Sequence, residues 1–599
     1  MQSQKLEERP SRRGPGSIAA GIFLSILIAL PVILAVSAAV YYILGPAEGY
    51  FHADCSDSLY WANASLESGS VFDKTYNYAA LLPFSANLWM TPLIAAFGFG
   101  MTAQNIGMII FVLVFCASLI YFCRKAGMSV GWCSLTTGIV LMILASSDKL
   151  REIMLGHVIY YSLGLVLFFL MAGLSLSVTE RGGRLLLLPA KDSPVKSRVM
   201  FVLAVVLLFA VSAGSATDGT QMLVLATLPA LGGIAAECFF DGKKGLFSRK
   251  NTPTGIVIVT IIAGTLCGTL LLKFFTREGI TAGYTNVYST YSDIGSWVSN
   301  AQKFSTDYLK LLGVSAKQGE NLFSLESFMS LIRLATGILL LVLPVVMLCF
   351  YRRIAYRGTR VMLWSHIILS AALFFGYICG RLSNANWRLT PLIGSAAVLA
   401  VFAAWELSHA GREKMLRAAV SSPTDEAADS KAADEHPAES GRVLLRSGII
   451  LAVFLSVAAL VSFGEIAKMP ADYGRNNMDH QLAEFLEENE LEYGYANFWR
   501  SNAITVLTDS RVKVRHADVS ATEGLHTNWY QSSSRWYYED QHEKYDRYFV
   551  LLSASDYATV SRSASWKEWV DTILVEQLEY EDYYIFVFSE DLDLVEKSS

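Results

Sequence analysis

Between Lys74 and Arg124 the chain reads TYNYAALLPFSANLWMTPLIAAFGFGMTAQNIGMIIFVLVFCASLIYFC (Thr75–Cys123), 49 residues without an Asp, Glu, Lys or Arg. A helix needs about 20 apolar residues to cross about 30 Å of hydrocarbon. The run therefore suffices for two crossings, or for one crossing and a segment lying in the interface. Loop charge decides, because cytoplasmic loops carry the excess of Lys and Arg. With one crossing, Arg124 and Lys125 fall on the side of the N-terminal Lys5, Arg9, Arg12 and Arg13. Arg181, Arg184, Lys191, Lys196 and Arg198 join them, as do Lys243, Lys244, Arg249 and Lys250, then Arg352, Arg353, Arg357 and Arg360. With two crossings every one of these clusters lands outside. One crossing near Gln104–Cys123 is expected, with Ala79–Phe99, punctuated by Pro83, Asn87 and Pro92, as a surface or re-entrant segment.

Working outward, charge-free runs cover Gly14–Ala47, Ala126–Ser147, Ile153–Thr179, Val199–Thr217, Gly219–Ala236, Asn251–Leu272, Leu334–Tyr351, Val361–Gly380, Leu389–Trp405 and Ser447–Gly464. Each has the length of a span, and the first is too long for the apolar core of a cleavable signal peptide. The expectation is a mainly α, polytopic membrane helical bundle of about eleven transmembrane helices with a C-terminal extracytoplasmic α/β domain. Its N-terminus lies in the cytoplasm of a cell-membrane, multi-pass protein. Only 17% of the 599 residues are charged, against 53% hydrophobic, where a soluble chain would carry about 25% charged. The net charge of −5 gives no footing for nucleic acid. Of the eight cysteines only Cys55 sits clearly in an outside loop, so no disulfide framework is expected.

The expected organisation is a cytoplasmic basic tail (1–16), a transmembrane domain (17–465) and a soluble domain (466–599). The membrane part includes outer loops at about 45–100 and 274–327 and a cytoplasmic linker at about 408–446, whose Ser421–Ser440 stretch has a disordered composition. In the soluble domain Asn476–Asn489 has the apolar spacing of a helix. Ile504–Leu507, Val512–Val514, Tyr548–Leu552, Thr572–Val575 and Tyr584–Phe588 read as strands.

Chemistry concentrates just outside the first span, in Tyr50-Phe51-His52-Ala53-Asp54-Cys55-Ser56-Asp57-Ser58-Leu59-Tyr60-Trp61-Ala62. The bland reading is a solvated loop with interfacial aromatics. The functional one is a general base at the membrane surface, its pKa raised by partial desolvation. A second outer loop, Ser146–Tyr161, holds Asp148, Lys149, Arg151, Glu152 and His157. Cations on the outer side run against the charge bias. Lys149 and Arg151 suit a lipid phosphate, unless they simply pair with Asp148 and Glu152. Arg381 and Arg388 lie between two later spans and extend that anion site, or else snorkel to headgroups. Asp218, in a tight turn, reads as a helix N-cap. No phosphate-binding loop, zinc motif or charged span interior points to an ATPase, a zinc enzyme or an ion-coupled pump.

The acidic loop after the first span, the interfacial segment and the soluble outer domain together resemble the GT-C superfamily of polytopic membrane glycosyltransferases, in particular protein O-mannosyltransferases and bacterial aminoarabinose transferases. In the latter the loop reads Asp-Glu-x-x-Tyr-Ala. Asp57-Ser58-Leu59-Tyr60-Trp61-Ala62 is similar, with Ser in place of Glu and the Tyr one place early. The resemblance implies inverting transfer of a sugar from a polyprenyl-phosphate-linked donor to an extracytoplasmic acceptor (glycan, lipid or protein) in a bacterial cell envelope. Asp57 or Asp54 would be the base. Lys149, Arg151, His157, Arg381 and Arg388 would meet the donor phosphate, and His52, Tyr60, Trp61, Asp148, Glu152 and Tyr160 would line the substrate site. Tyr161 joins the aromatics. No cofactor follows from the sequence with certainty; divalent metal ions assist some enzymes of this type, and Asp54 with Asp57 could form part of such a site. The rival readings are a surface-polysaccharide polymerase or ligase, using cations such as Arg277 of the 274–327 loop, and a non-enzymatic transporter or scaffold.

Overall fold

In the computed structural model the described residues are 15–187, 195–241, 248, 251–280, 290–315, 319, 321–420, 437–538, 543–592 and 594. Most of the basic tail and the linker segment 421–436 lie outside them. Ten described helices are long and apolar enough to cross a membrane. An eleventh span exists only if Val130–Ile143 and Asp148–Gly156, bent by 118° at the break between them, count as one. The fourteen residues of Val130–Ile143 reach only about 21 Å at 1.5 Å per residue. Ser147 then caps a new turn by accepting the Leu150 N–H, and the chain swings aside instead of continuing outward.

The 49-residue run resolves into one long helix, Met101–Ala126, preceded by turns and the seven-residue helix Thr91–Phe97. The preceding segment is fixed against its neighbours. The Trp89 indole donates to the Gly107 carbonyl at 2.8 Å. A side chain at Gly107 would run into Met90, and Phe84 fills the notch left by Gly214. Asp218 does not cap its helix, whose N-cap is Gly219. It is buried and accepts the Phe84 backbone N–H instead. The turn thus holds the interfacial segment, a tertiary role that local spacing does not announce.

At the centre of the bundle lie Tyr160–Leu187 and Thr390–Val420, fully packed along their most apolar stretches, while Thr252–Phe275 and Leu325–Cys349 present most of theirs outward. Small residues set the closest helix approach: a Cβ at Gly264 would meet the Phe209 carbonyl, and one at Gly268 the Ala213 carbonyl.

The C-terminal domain is a six-stranded mixed sheet in the order β3-β2-β1-β4-β6-β5, formed by β1 (Tyr493–Ala496), β2 (Lys513–Ser520), β3 (Gly524–Thr527), β4 (Tyr548–Ser553), β5 (Leu574–Tyr580) and β6 (Tyr583–Phe588). β1 pairs in parallel with β2 and β4; the outer pairs are antiparallel. The first expected helix is present as Met478–Glu488. Ile504–Leu507 is not a strand but the end of helix Phe498–Leu507, capped by Asn497. A short apolar run cannot by itself distinguish the two; the cap and the parallel β1–β2 crossover decide for helix.

This domain is stitched to the loop that follows the first apolar helix, by backbone pairing as well as side chains. Tyr76 bridges Ser533, the Asn77 N–H donates to the Ser532 carbonyl at 3.0 Å, and the Ser534 N–H donates to the Thr75 carbonyl at 2.9 Å. Asp509 accepts the Met101 N–H at 2.9 Å, capping a long apolar helix from the C-terminal domain.

Candidate functional site

The acidic loop is a short 3-10 turn, Ala53–Ser56, running straight into helix Asp57–Ser68. The turn is tied to the segment 146–161: the Asp54 carbonyl accepts from His157 Nδ1 at 3.0 Å, Gln104 Nε2 donates to the Gly156 carbonyl at 2.6 Å and the Cys55 carbonyl at 3.2 Å, and Ser58 Oγ donates to the Val158 carbonyl at 3.1 Å. Two loops a hundred residues apart in sequence thus become one surface.

Asp57 is buried, while Asp54 is half-buried. Gln531 donates through Nε2 to Asp57 Oδ1 at 2.5 Å. Burial, and then the neighbouring charge of Asp54, push the Asp57 carboxyl well above the usual carboxylate range, against the Gln531 hydrogen bond and the charge of His52. Among the described residues the hydrogen bond to the Asp57 carboxyl is the one from Gln531 to Oδ1, and Oδ2 takes none. His52 lies 3.4 Å from Glu152 and edge-on to Trp499. Burial opposes its charge, but Cys55 and Glu152 outweigh that and raise its pKa. His157 is buried, and that burial lowers its pKa. A carbonyl can only accept, so Nδ1 carries the proton in the bond to Asp54. It supplies this turn with a hydrogen bond, and a neutral imidazole offers no charge to a phosphate.

The expected cations divide into two groups. Arg151 is buried and taken up by Asp148, by the Ala145 carbonyl at 3.0 Å and by the Tyr42 ring, with Glu465 at 3.8 Å. Glu465 also pairs with Arg333 of the Leu325–Cys349 helix. The pairing of Arg151 with its own loop is therefore what the geometry shows; it braces three helices. Lys149 pairs with Glu152 and stands over the Trp387 ring at 4.7 Å. Next to Trp387, Arg388 is buried, donates to the Arg381 carbonyl at 2.7 Å and lines a groove of about 460 Å³. Tyr160, Tyr161, Leu225, Leu373 and Phe375 give that groove an apolar wall. Arg381 points to the exterior with an exposed side chain. Lys149 thus lies over the sequence neighbour of the groove-lining Arg388, and it pairs with Glu152, which is 3.4 Å from His52 of the acidic loop.

Tyr60 packs edge-on between Phe99 and Trp536, and Trp61 donates its indole N–H to Gln531 Oε1 at 2.6 Å. Both belong to the seam with the C-terminal domain and not to an open surface. Among the described residues no group of three or more His, Cys, Asp or Glu is placed to hold a metal ion. Arg277 lies over the Phe274 ring at 4.4 Å, beside Glu278, which pairs with Lys74. Sequence reasoning missed Gln531, Trp499 and Asp509; only the Trp- and Tyr-rich composition of the domain hinted at contact with this loop.

No family model matches the sequence, and no curated protein matches it either. Among solved structures, the chain is similar to ArnT from Cupriavidus metallidurans bound to undecaprenyl phosphate, at 12% identity over 95% of this chain and 98% of that one, with a TM-score of 0.47. The apo form of the same protein gives 12% identity, the same coverage and a TM-score of 0.48.

Proposed function

We propose that this multi-pass membrane protein is a glycosyltransferase of the GT-C type, moving a sugar from a polyprenyl-phosphate carrier to an extracytoplasmic acceptor with Asp57 as the base. The observation that carries the reading is a buried carboxyl of raised pKa with one oxygen pinned by Gln531, on a loop that packs against the Glu152–Lys149 pair, with Lys149 over Trp387, the neighbour of Arg388 in an apolar groove. A lipid-linked donor presents its phosphosugar only at headgroup depth, so base and cations must meet there. The isoprenoid chain would lie along the groove, with its phosphate towards Arg388 and Lys149.

Asp57 Oδ2 takes the proton of an acceptor hydroxyl, and that oxygen bonds to the anomeric carbon from the face opposite the phosphate. The anomeric C–O bond to phosphate breaks with inversion, and its electron pair leaves on the polyprenyl phosphate. Lys149 and Arg388 meet the charge that develops there, an interaction stronger in the transition state than in the ground state. Raising the pKa of a carboxylate makes it a better proton acceptor, and burial of Asp57 acts in that direction. His52, held as imidazolium beside Glu152, tempers the effect. The test is transfer from polyprenyl-phosphate sugars in membranes carrying Asp57→Asn. Loss of transfer with unchanged insertion supports the assignment, and full activity overturns it.

A further inference from the structure

We propose that Gln531, from the C-terminal domain, is a positioning residue of the reaction centre: it clamps one oxygen of the Asp57 carboxyl and leaves the other without a hydrogen bond, available to take the acceptor's proton. The inference rests on the reading of Asp57 as base and extends the site to a domain 474 positions away in sequence.

The orientation of the Gln531 amide is determined by chemistry. The Trp61 indole N–H can only donate, so the amide atom 2.6 Å from it is the oxygen. The amide nitrogen must then face Asp57, and Oδ1 of that carboxyl must accept. Gln531 is completely buried, and its backbone is held at both ends. Its N–H donates to the Asn77 carbonyl at 3.0 Å, and its carbonyl accepts from the Tyr76 hydroxyl at 3.0 Å. The residue has a φ of +54°, a left-handed conformation that glutamine seldom adopts and that only a closely determined setting maintains. A side chain placed merely to fill space would need neither the amide polarity nor this backbone. The titratable groups that face Asp57 are Asp54 and His52 on its own loop and Tyr76 on the segment behind it; the C-terminal domain contributes Gln531, which does not titrate.

The clamp is tested on the full-length protein in detergent or nanodiscs by infrared titration of the protonated Asp57 carbonyl band, assigned by its absence in Asp57→Asn. Gln531→Met keeps the volume and removes the donor. The expected result is a midpoint about one pH unit higher than wild type, a tenfold change in the ionisation constant, with the acid limb of the transfer rate moving likewise. An unchanged midpoint in a folded Gln531→Met protein overturns the proposal, even if Asp57→Asn is inactive. Should the Met variant fail to fold, Gln531→Glu retains an acceptor for Trp61 and sets a second charge beside Asp57. Its midpoint must rise further, and failure to rise is equally fatal. Full transfer by Asp57→Asn would instead remove the base assignment itself, a result read on a different variant and so distinguishable from failure of the clamp.

Discussion

Two carboxylates three residues apart have different surroundings, and that difference separates their roles. Asp57 is enclosed, gripped by Gln531 and raised in pKa by burial, whereas Asp54 is half-buried and engaged through its backbone carbonyl. Removing a general base costs about 10²- to 10⁴-fold, so kcat/KM of Asp57→Asn is expected to fall by that range. Because the Asp57 pKa is raised, its basic form is populated only as pH climbs past the usual carboxylate range. The wild-type rate should therefore rise with pH along an acid limb that lies above about 3.9. Asp54 contributes to the raised value through its charge. Asp54→Asn should then move the limb to lower pH while keeping most of the plateau rate, and His52→Gln, which removes an opposing positive charge, should move it higher. A collapse in Asp54→Asn with a normal Asp57→Asn would reverse the two assignments. The sequence shows both acids close after the first apolar helix, where the structure has them in a 3-10 turn and the start of the next helix. It could not rank them, because burial of Asp57 depends on a domain that begins four hundred residues later.

Elements show the same division between what spacing reveals and what packing adds. Charge-free runs located the membrane helices, since hydrocarbon tolerates neither open backbone nor charge. The break at Leu144–Ser147 was invisible to that count, because Ala126–Ser147 is free of charge throughout and only the Ser147 cap and the bend reveal where it stops. Gly264 and Gly268 form a small-xxx-small face of the kind that lets membrane helices approach closely. The carbonyls of Phe209 and Ala213 occupy the space a side chain would need. Gly268→Leu must push Thr252–Phe275 away from Val195–Thr217. A destabilisation of about 1 to 3 kcal/mol is expected from overpacking, seen as a lower unfolding temperature in detergent and less protein in the membrane. Gly255, which has open space where a methyl group would stand, is the control, and Gly255→Ala should leave that temperature unchanged or raise it. Asp509 supplies a different kind of link. Its carboxylate satisfies the first N–H of Met101–Ala126 from across the domain boundary, and Asp509→Ala should cost about 1 kcal/mol, the usual size of a lost cap.

At the scale of the whole molecule, the proposed chemistry requires the acidic loop, the groove and the C-terminal domain to share the outer face. The domain meets the loop directly through Gln531, Ser532, Ser533 and Arg535, so any crossing between them would tear that seam. The charge bias predicts that Arg124, Lys125 and the 352–360 cluster lie on the opposite, cytoplasmic side. Membrane-impermeant thiol labelling decides this arrangement. Glu579 is exposed on the outer strand pair and Arg412 at the far end of Thr390–Val420. In intact cells Glu579→Cys is expected to react and Arg412→Cys to stay unlabelled until the membrane is opened. The native cysteines, all unbridged, set the background. The reverse pattern would put the acidic loop in the cytoplasm, where the lipid-linked donor would have to be used on the face opposite to the one proposed. Equal labelling of both sites in intact cells would mean mixed insertion, and the loop charges would then not determine the orientation of this bundle.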